Sequence, residues 1–262
     1  MSPWRPDPFG RSPFRETTFT AAWLAGSGDR LGMTDLEFRT SILPLASEFL
    51  KLTPGFAVHF LDGPRTVDLP PRLYDAWLDI AARFPVGSLW LMELAVRPGF
   101  YGDYEHINSD TFRIQGRALG LTELNPTLKL GIGVVYLDRE DIPVLPVGGL
   151  FWAPDEDTQL DLIFPLPKIA RRVCRRGGDE HWVYLGGEFG GNSYSIERAN
   201  GTNDVASYLD FRLFTGVEAR RFAGVTSKLE LGYIFHRRVE YESSTPRFDP
   251  KDTVMMRAIL SY

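Results

Sequence analysis

The side chains best suited to acid–base or nucleophilic chemistry in this chain are His59, His106, His181, His236 and the lone Cys174. His106 stands in "GDYEHINSD" with Asp103, Glu105 and Asp110, which groups a base, an orienting carboxylate and hard oxygen ligands in one polar stretch. The stretch lacks the glycine-centred spacing of a calcium loop. His106 with Asp103 is therefore the one pair a hydrolase could use. No GxSxG elbow, HExxH helix or phosphate-binding loop occurs, so no catalytic residue, metal ligand or cofactor is assigned. A single cysteine excludes an intrachain disulfide and any multi-cysteine zinc site. Its run "ARRVCRR" could lower the thiol pKa, but an incidental turn cysteine is the simpler reading. His59 and His236 fall on the polar face of strand-like runs, where a charge-paired or hydrogen-bonded role is expected.

The elements that must position these residues read as strands. Two-residue alternation recurs along the chain, and helical patterns are scarce. Leu128, Leu130, Ile132, Val134 and Tyr136 oppose Lys129, Gly131, Gly133 and Val135. Leu229, Leu231, Tyr233 and Phe235 oppose Lys228, Glu230, Gly232 and His236. The last residues repeat the rule, with Val254, Met256, Ala258, Leu260 and Tyr262 on one face and Thr253, Arg257 and Ser261 on the other. The least regular run is "TQLDLIFPLPKIARRV", where Pro165 and Pro167 break any ladder. Short connections such as "FPVGS" alternate with long polar ones such as "GDYEHINSD", and no composition shift divides the chain. Residues 15–262 read as one domain, preceded by an extension at 1–14.

Alternation alone also suits a soluble sandwich or barrel. Three features favour a membrane. The polar face carries both charge signs mixed with glycine and alanine, as opposite charges paired across a narrow lumen would require. The other face is rich in Leu, Phe, Val and Ile. Trp23, Trp90, Tyr101, Tyr136, Tyr241 and Tyr262 fall near strand ends, as interfacial girdles would. Turn lengths alternate short and long. The expected fold is all-β: a single closed, antiparallel, up-and-down transmembrane β-barrel of about 12 strands, range about 10–14. A last strand pairing with the first would close it.

The expected lumen is polar and charge-paired, lined by Glu93, Arg97, Arg113, Arg117, Glu188, Asp210, Arg212, Lys228, Glu230 and Arg257. Glu188 sits at the centre of "GGEFGG", which lies inside a strand pattern and so implies a bend or room for neighbouring side chains. Such an interior suits a narrow pore for small polar solutes or a structural membrane component. An outer-rim hydrolase or lipid-modifying enzyme built on His106 is the alternative, as is a soluble β-barrel binding protein. With Lys plus Arg at 29 against 34 for Asp plus Glu, no basic excess is available for nucleic acid.

The segments "TPGFAVHFLDGP", "SDTFRIQGRALG", "VLPVGGLFWAPDEDTQLDLIFPLPKIARR" and "WVYLGGEFGGNSYSIERA" resemble an uncharacterised outer-membrane barrel family, known as a domain of unknown function and common in planctomycetes. The resemblance runs from about Thr18 to Tyr262 and implies a fold and a location, the bacterial outer membrane; from the barrel and its lumen, membrane lipid and small polar solutes are the expected partners. It implies no activity. The family's members begin with a secretion signal; "MSPWRPDPFGRSPFRE" shows none, and a trimmed or misassigned start is the simpler explanation. Tyr262 resembles the terminal aromatic by which the barrel assembly machinery recognises its clients.

Overall fold

The computed structural model describes residues 16–42, 49–64, 67–105, 109–139, 142–222, 224–243 and 247–262. The extension at 1–14 and His106 lie outside these residues. Fourteen strands form the wall. They are β1 (Thr17–Leu24), β2 (Gly32–Thr40), β3 (Leu50–Asp62), β4 (Arg72–Val86), β5 (Trp90–Gly102), β6 (Phe112–Asn125) and β7 (Leu128–Tyr136). The second half has β8 (Val144–Asp155), β9 (Thr158–Phe164), β10 (Lys168–Arg176), β11 (Asp179–Glu197), β12 (Asn203–Arg220), β13 (Thr226–Tyr241) and β14 (Thr253–Ser261). Each pairs antiparallel with its sequence neighbours, and β14 pairs with β1 from Thr18↔Ser261 to Leu24↔Met255, which closes the barrel. Closure leaves no unpaired edge, the condition for crossing hydrocarbon.

The count exceeds the sequence estimate of about 12, within its stated range. The irregular run resolves into two strands, because Pro165 and Pro167 cannot donate to a ladder and stand at the turn between β9 and β10.

Alternation holds around the wall. Leu231 is 56% exposed and Met256 49%, while Glu230 between β13's apolar residues is 0% and Arg257 3%. Polar groups buried inside and large apolar groups exposed outside invert a soluble protein, and the outer face is an apolar surface that lipid would cover. Trp23, Tyr136 and Tyr262 stand on this outer face. Tyr101 does not: it is 2% exposed, sharing the inward side with Glu93 and Ala95. Tyr241 also turns inward, against Leu73 and Tyr194. His236 is the opposite correction. The register jumps from Leu209↔Arg238 to Phe211↔Phe235, and this bulge, with His236 at φ 51°, turns the imidazole outward and sends Arg237 inside.

β11 and β12 have 19 and 18 residues, far beyond the roughly 9–11 that a tilted transmembrane strand needs. The surplus does not stand out from the barrel. Beyond Glu188, Phe189, Tyr194, Ile196, Val205 and Tyr208 are all buried, so alternation between an exposed and a hidden face ceases. The outer half of this hairpin bends across the mouth at the long-loop end. Ser195 pairs with Gly102 of β5, reached across the barrel from β11's own wall position. The bend falls at Gly190 and Gly191, the end of "GGEFGG". Gly191 has φ +117°, and an ideal Cβ there would lie 1.9 Å from the Tyr208 carbonyl oxygen.

Candidate functional site

Every residue assigned to the lumen from sequence points inward, and most gather into two ion-paired networks. On β4–β6, Arg117 donates through both terminal nitrogens to Asp79 at 2.6 and 3.1 Å and through Nε to Glu93 at 2.7 Å. Arg83 donates to the other Glu93 oxygen at 2.6 Å, and Arg97 to Asp79 at 3.1 Å. On β11–β14, Arg257 donates to Glu230 and, at 2.9 Å, to Glu188. Tyr184 donates to Glu230 at 2.7 Å, and Arg212 grips Asp210 with two bonds at 2.8 and 3.1 Å. Arg212 and Arg257 thus flank Glu188, at 3.8 and 2.9 Å. Register puts these partners within reach, since Glu230↔Arg257 and Glu188↔Arg212 are cross-strand pairs.

Two assigned residues stand apart. Arg113, near the long-loop end, donates to the Asp138 carbonyl at 2.8 Å. Lys228 lies towards the short-turn end, 3.7 Å from Glu218, which Arg220 and Lys168 also approach. That end is wetter: the Lys168 and Lys228 side chains are about one-fifth exposed. The acids and arginines of the β11–β14 network are not, with Asp210 and Glu230 at 0%, while the Arg97 and Arg117 side chains keep 13%. Side chains lining an open aqueous channel would be solvent-accessible, so at this height the interior is closed.

The expectation of a polar lumen throughout needs correction. Leu119, Val135, Val147, Phe151 and Ile163 face inward from β6–β9 and pack on Phe189 and Leu209 of the hairpin. The interior therefore interleaves two ion-paired networks with buried hydrophobic clusters, one on β6–β9 and another that includes Trp182, Phe214, Ile234 and Met255.

The hairpin is held over this interior by few but specific polar contacts. Asp103 is the anchor. Its backbone N–H donates to the Ser195 carbonyl, and its carboxylate accepts from the Glu197 N–H at 2.7 Å and the Glu105 N–H at 3.1 Å. The carboxylate suggested as a partner for His106 therefore braces backbone. Arg198 at the hairpin tip donates to Asp68 at 2.7 Å and to Asp204 at 2.6 Å, and its guanidinium lies 4.3 Å from the Tyr241 ring centroid. Arg198 holds the Asp68 carboxyl below its ordinary pKa by donating to it, and the Ala199 N–H adds to the effect. Arg139 donates to the Tyr208 carbonyl at 3.0 Å. Beneath the tip, Asn192 bridges Gln115 and Asp75, and Tyr194 meets the His59 ring edge-on at 5.8 Å between centroids. His59 is buried, with Nδ1 2.7 Å from Asp35 and Nε2 3.4 Å from Asp75.

The strand pattern did not point to the latch formed by Arg198, Asp68 and Asp204, whereas His59 is charge-paired on the inward face as expected. The available signal was length: "GGEFGGNSYSIERANGTNDVASYLDF" carries too many strand-like residues for two membrane crossings. Among the described residues no cluster of side chains suits a metal ion.

These features define an integral β-barrel membrane protein with a closed interior. The chain belongs to the family described as Domain of unknown function (DUF6268), whose match spans residues 64–248. No curated protein matches the chain. Similar solved structures include a bacterial polysaccharide outer membrane secretin, at 9% identity and a TM-score of 0.47, covering 95% of this chain and 98% of that one. The NanC porin gives 8% and 0.43, covering 94% and 98%. The COG4313 outer membrane channel from Pseudomonas putida F1 gives 13% and 0.42, covering 98% of each. The resemblance is to outer-membrane barrels.

Proposed function

We propose that this protein is a gated conduit of the bacterial outer membrane for small polar solutes, closed in the state described by the inward-folded β11–β12 hairpin. One observation carries the reading: a hairpin bent at a glycine pair seals a charge-lined barrel and is fastened at its tip by Arg198. Its length packs on the interior through Phe189, Tyr194, Ile196, Ala206, Tyr208 and Leu209, so the ion pairs at the tip are the contacts that can be released without exposing apolar surface. Below the hairpin the packed ion pairs must part as well, and the opposing charges then favour small polar solutes over apolar ones.

Planar-bilayer recording tests this. Wild type is expected to be mostly silent with rare openings, and Arg198→Ala to open far more often. Silence of both proteins, with insertion verified, would defeat the conduit. The barrel would then be a structural component of the membrane, a reading the dense ion pairing inside also favours. Tyr262, 73% exposed on the outer face, is proposed as the residue read by the assembly machinery. Tyr262→Ala should lower the yield of folded barrel in outer-membrane fractions.

A further inference from the structure

Eight buried side-chain polar atoms among the described residues have no hydrogen-bond partner, and four of them belong to residues lining a single cavity. They are His59 Nε2, Asp75 Oδ1, Trp77 Nε1 and Tyr101 Oη. The cavity lies under Gly191 and Asn192 of the hairpin and measures about 30 Å³. At roughly 10–15 Å³ for each water-sized occupant, that is room for two or three such groups. Buried polar groups are almost always paired, and the two of these four that have no charged partner call for an occupant.

Two of the four face each other, since His59 Nε2 is 3.4 Å from Asp75 Oδ1. The remaining two are the indole N–H of Trp77 and the phenol O–H of Tyr101, both able to donate. Glycines fix both rings. An ideal Cβ on Gly55 would lie 2.8 Å from Trp77 Nε1, and one on Gly99 2.8 Å from Tyr101 Oη, so each ring lies on a bare backbone. Register places Gly55, Trp77 and Gly99 side by side on β3, β4 and β5. The charged lining leans positive, with Arg39, Arg97 and Arg139 against Glu37 and Asp75. The Arg97 guanidinium lies 5.6 Å from the Trp77 ring centroid. Arg39, another lining residue, has a side chain that is 36% exposed.

We infer that this cavity binds a small anion of carboxylate or nitrate size, held by Trp77 Nε1 and Tyr101 Oη in the positive surroundings of Arg97 and Arg139. An O–X–O group presents two acceptors, one for each donor, and fits the volume. The binding stands on the cavity alone; its use in selecting transported solutes rests on the conduit reading.

Calorimetric titration of the detergent-purified full chain with sodium formate at constant ionic strength tests it. Wild type should show saturable one-site binding. Trp77→Phe and Tyr101→Phe keep the rings and remove one donor each, so each should weaken binding about fivefold or more, and the double variant should abolish it. Thermal midpoints without formate should not fall in either variant, because the donor removed had no partner. Absence of saturable binding in wild type, or unchanged affinity in the double variant, overturns the inference and leaves a cavity for water alone. Recordings of Arg198→Ala separate the two readings. Binding with a silent unlatched barrel would sink the conduit but keep the site, and conduction without formate binding would do the reverse.

Discussion

At the scale of single residues, the interior depends on partners. Glu188 and Glu230 share Arg257 in a region with almost no solvent exposure. Removing one partner of a buried pair costs far more than the pair contributes, because the charge left behind is uncompensated. Arg257→Met is therefore expected to lower stability by about 3–5 kcal/mol. Denaturant titration in detergent measures it, and restoring neutrality with Glu230→Gln should recover part of the loss. Asp68 makes a pH prediction at the latch. Its folded pKa is depressed, so its contribution to the latch is full above the unfolded carboxylate value, roughly 3.9, and drains away as the pH falls through the folded value. Hydrogen-exchange protection of the Ala199 amide, corrected for intrinsic rate, should be constant from about pH 5 to 7 and fall below about pH 4. Protection that shows no decline at any pH below the unfolded carboxylate value, down to acid unfolding, would show that Asp68 is not part of the fastening.

At the scale of elements, the deciding feature is the bend in β11. Gly191 combines a φ open to glycine with a backbone approach that leaves no room for Cβ. Gly191→Ala should therefore prevent the hairpin from folding inward while the paired wall below Glu188 persists. Trypsin should then cut after Arg198, which is tied to Asp68 and Asp204 in the closed state. Resistance equal to wild type would mean that the bend lies elsewhere. β11 also shows where pattern reading stops. "WVYLGGE" alternates because one side faces outward and the other inward. "NSYSIE" has small and polar residues buried on both sides, because it packs on interior groups rather than on lipid.

At the scale of the whole molecule, the outer surface makes the prediction. Leu231, next to Met256 on β14 and 56% exposed, would face hydrocarbon. Leu231→Arg should cost about 2–4 kcal/mol if the position lies near the bilayer midplane, and much less near an interface. The comparison is made by folding into lipid vesicles. No penalty would argue against a lipid-facing surface there.

The strand period was legible residue by residue, because a wall one strand thick gives every residue one of two environments. That rule placed Glu93, Arg117, Glu230 and Arg257 inside, and it also requires Tyr101 to be inside although an aromatic near a strand end suggests a girdle. The number of strands was less legible, since two prolines in a single apolar run do not say whether they interrupt a strand or separate two. Which charges pair, that hydrophobic clusters lie between the ion pairs, that a bulge turns His236 out and that the hairpin seals the mouth were decided by tertiary structure alone. Alternation reports the side of a wall on which a residue lies. It carries no record of what stands opposite across the lumen, because those contacts join strands far apart in the chain.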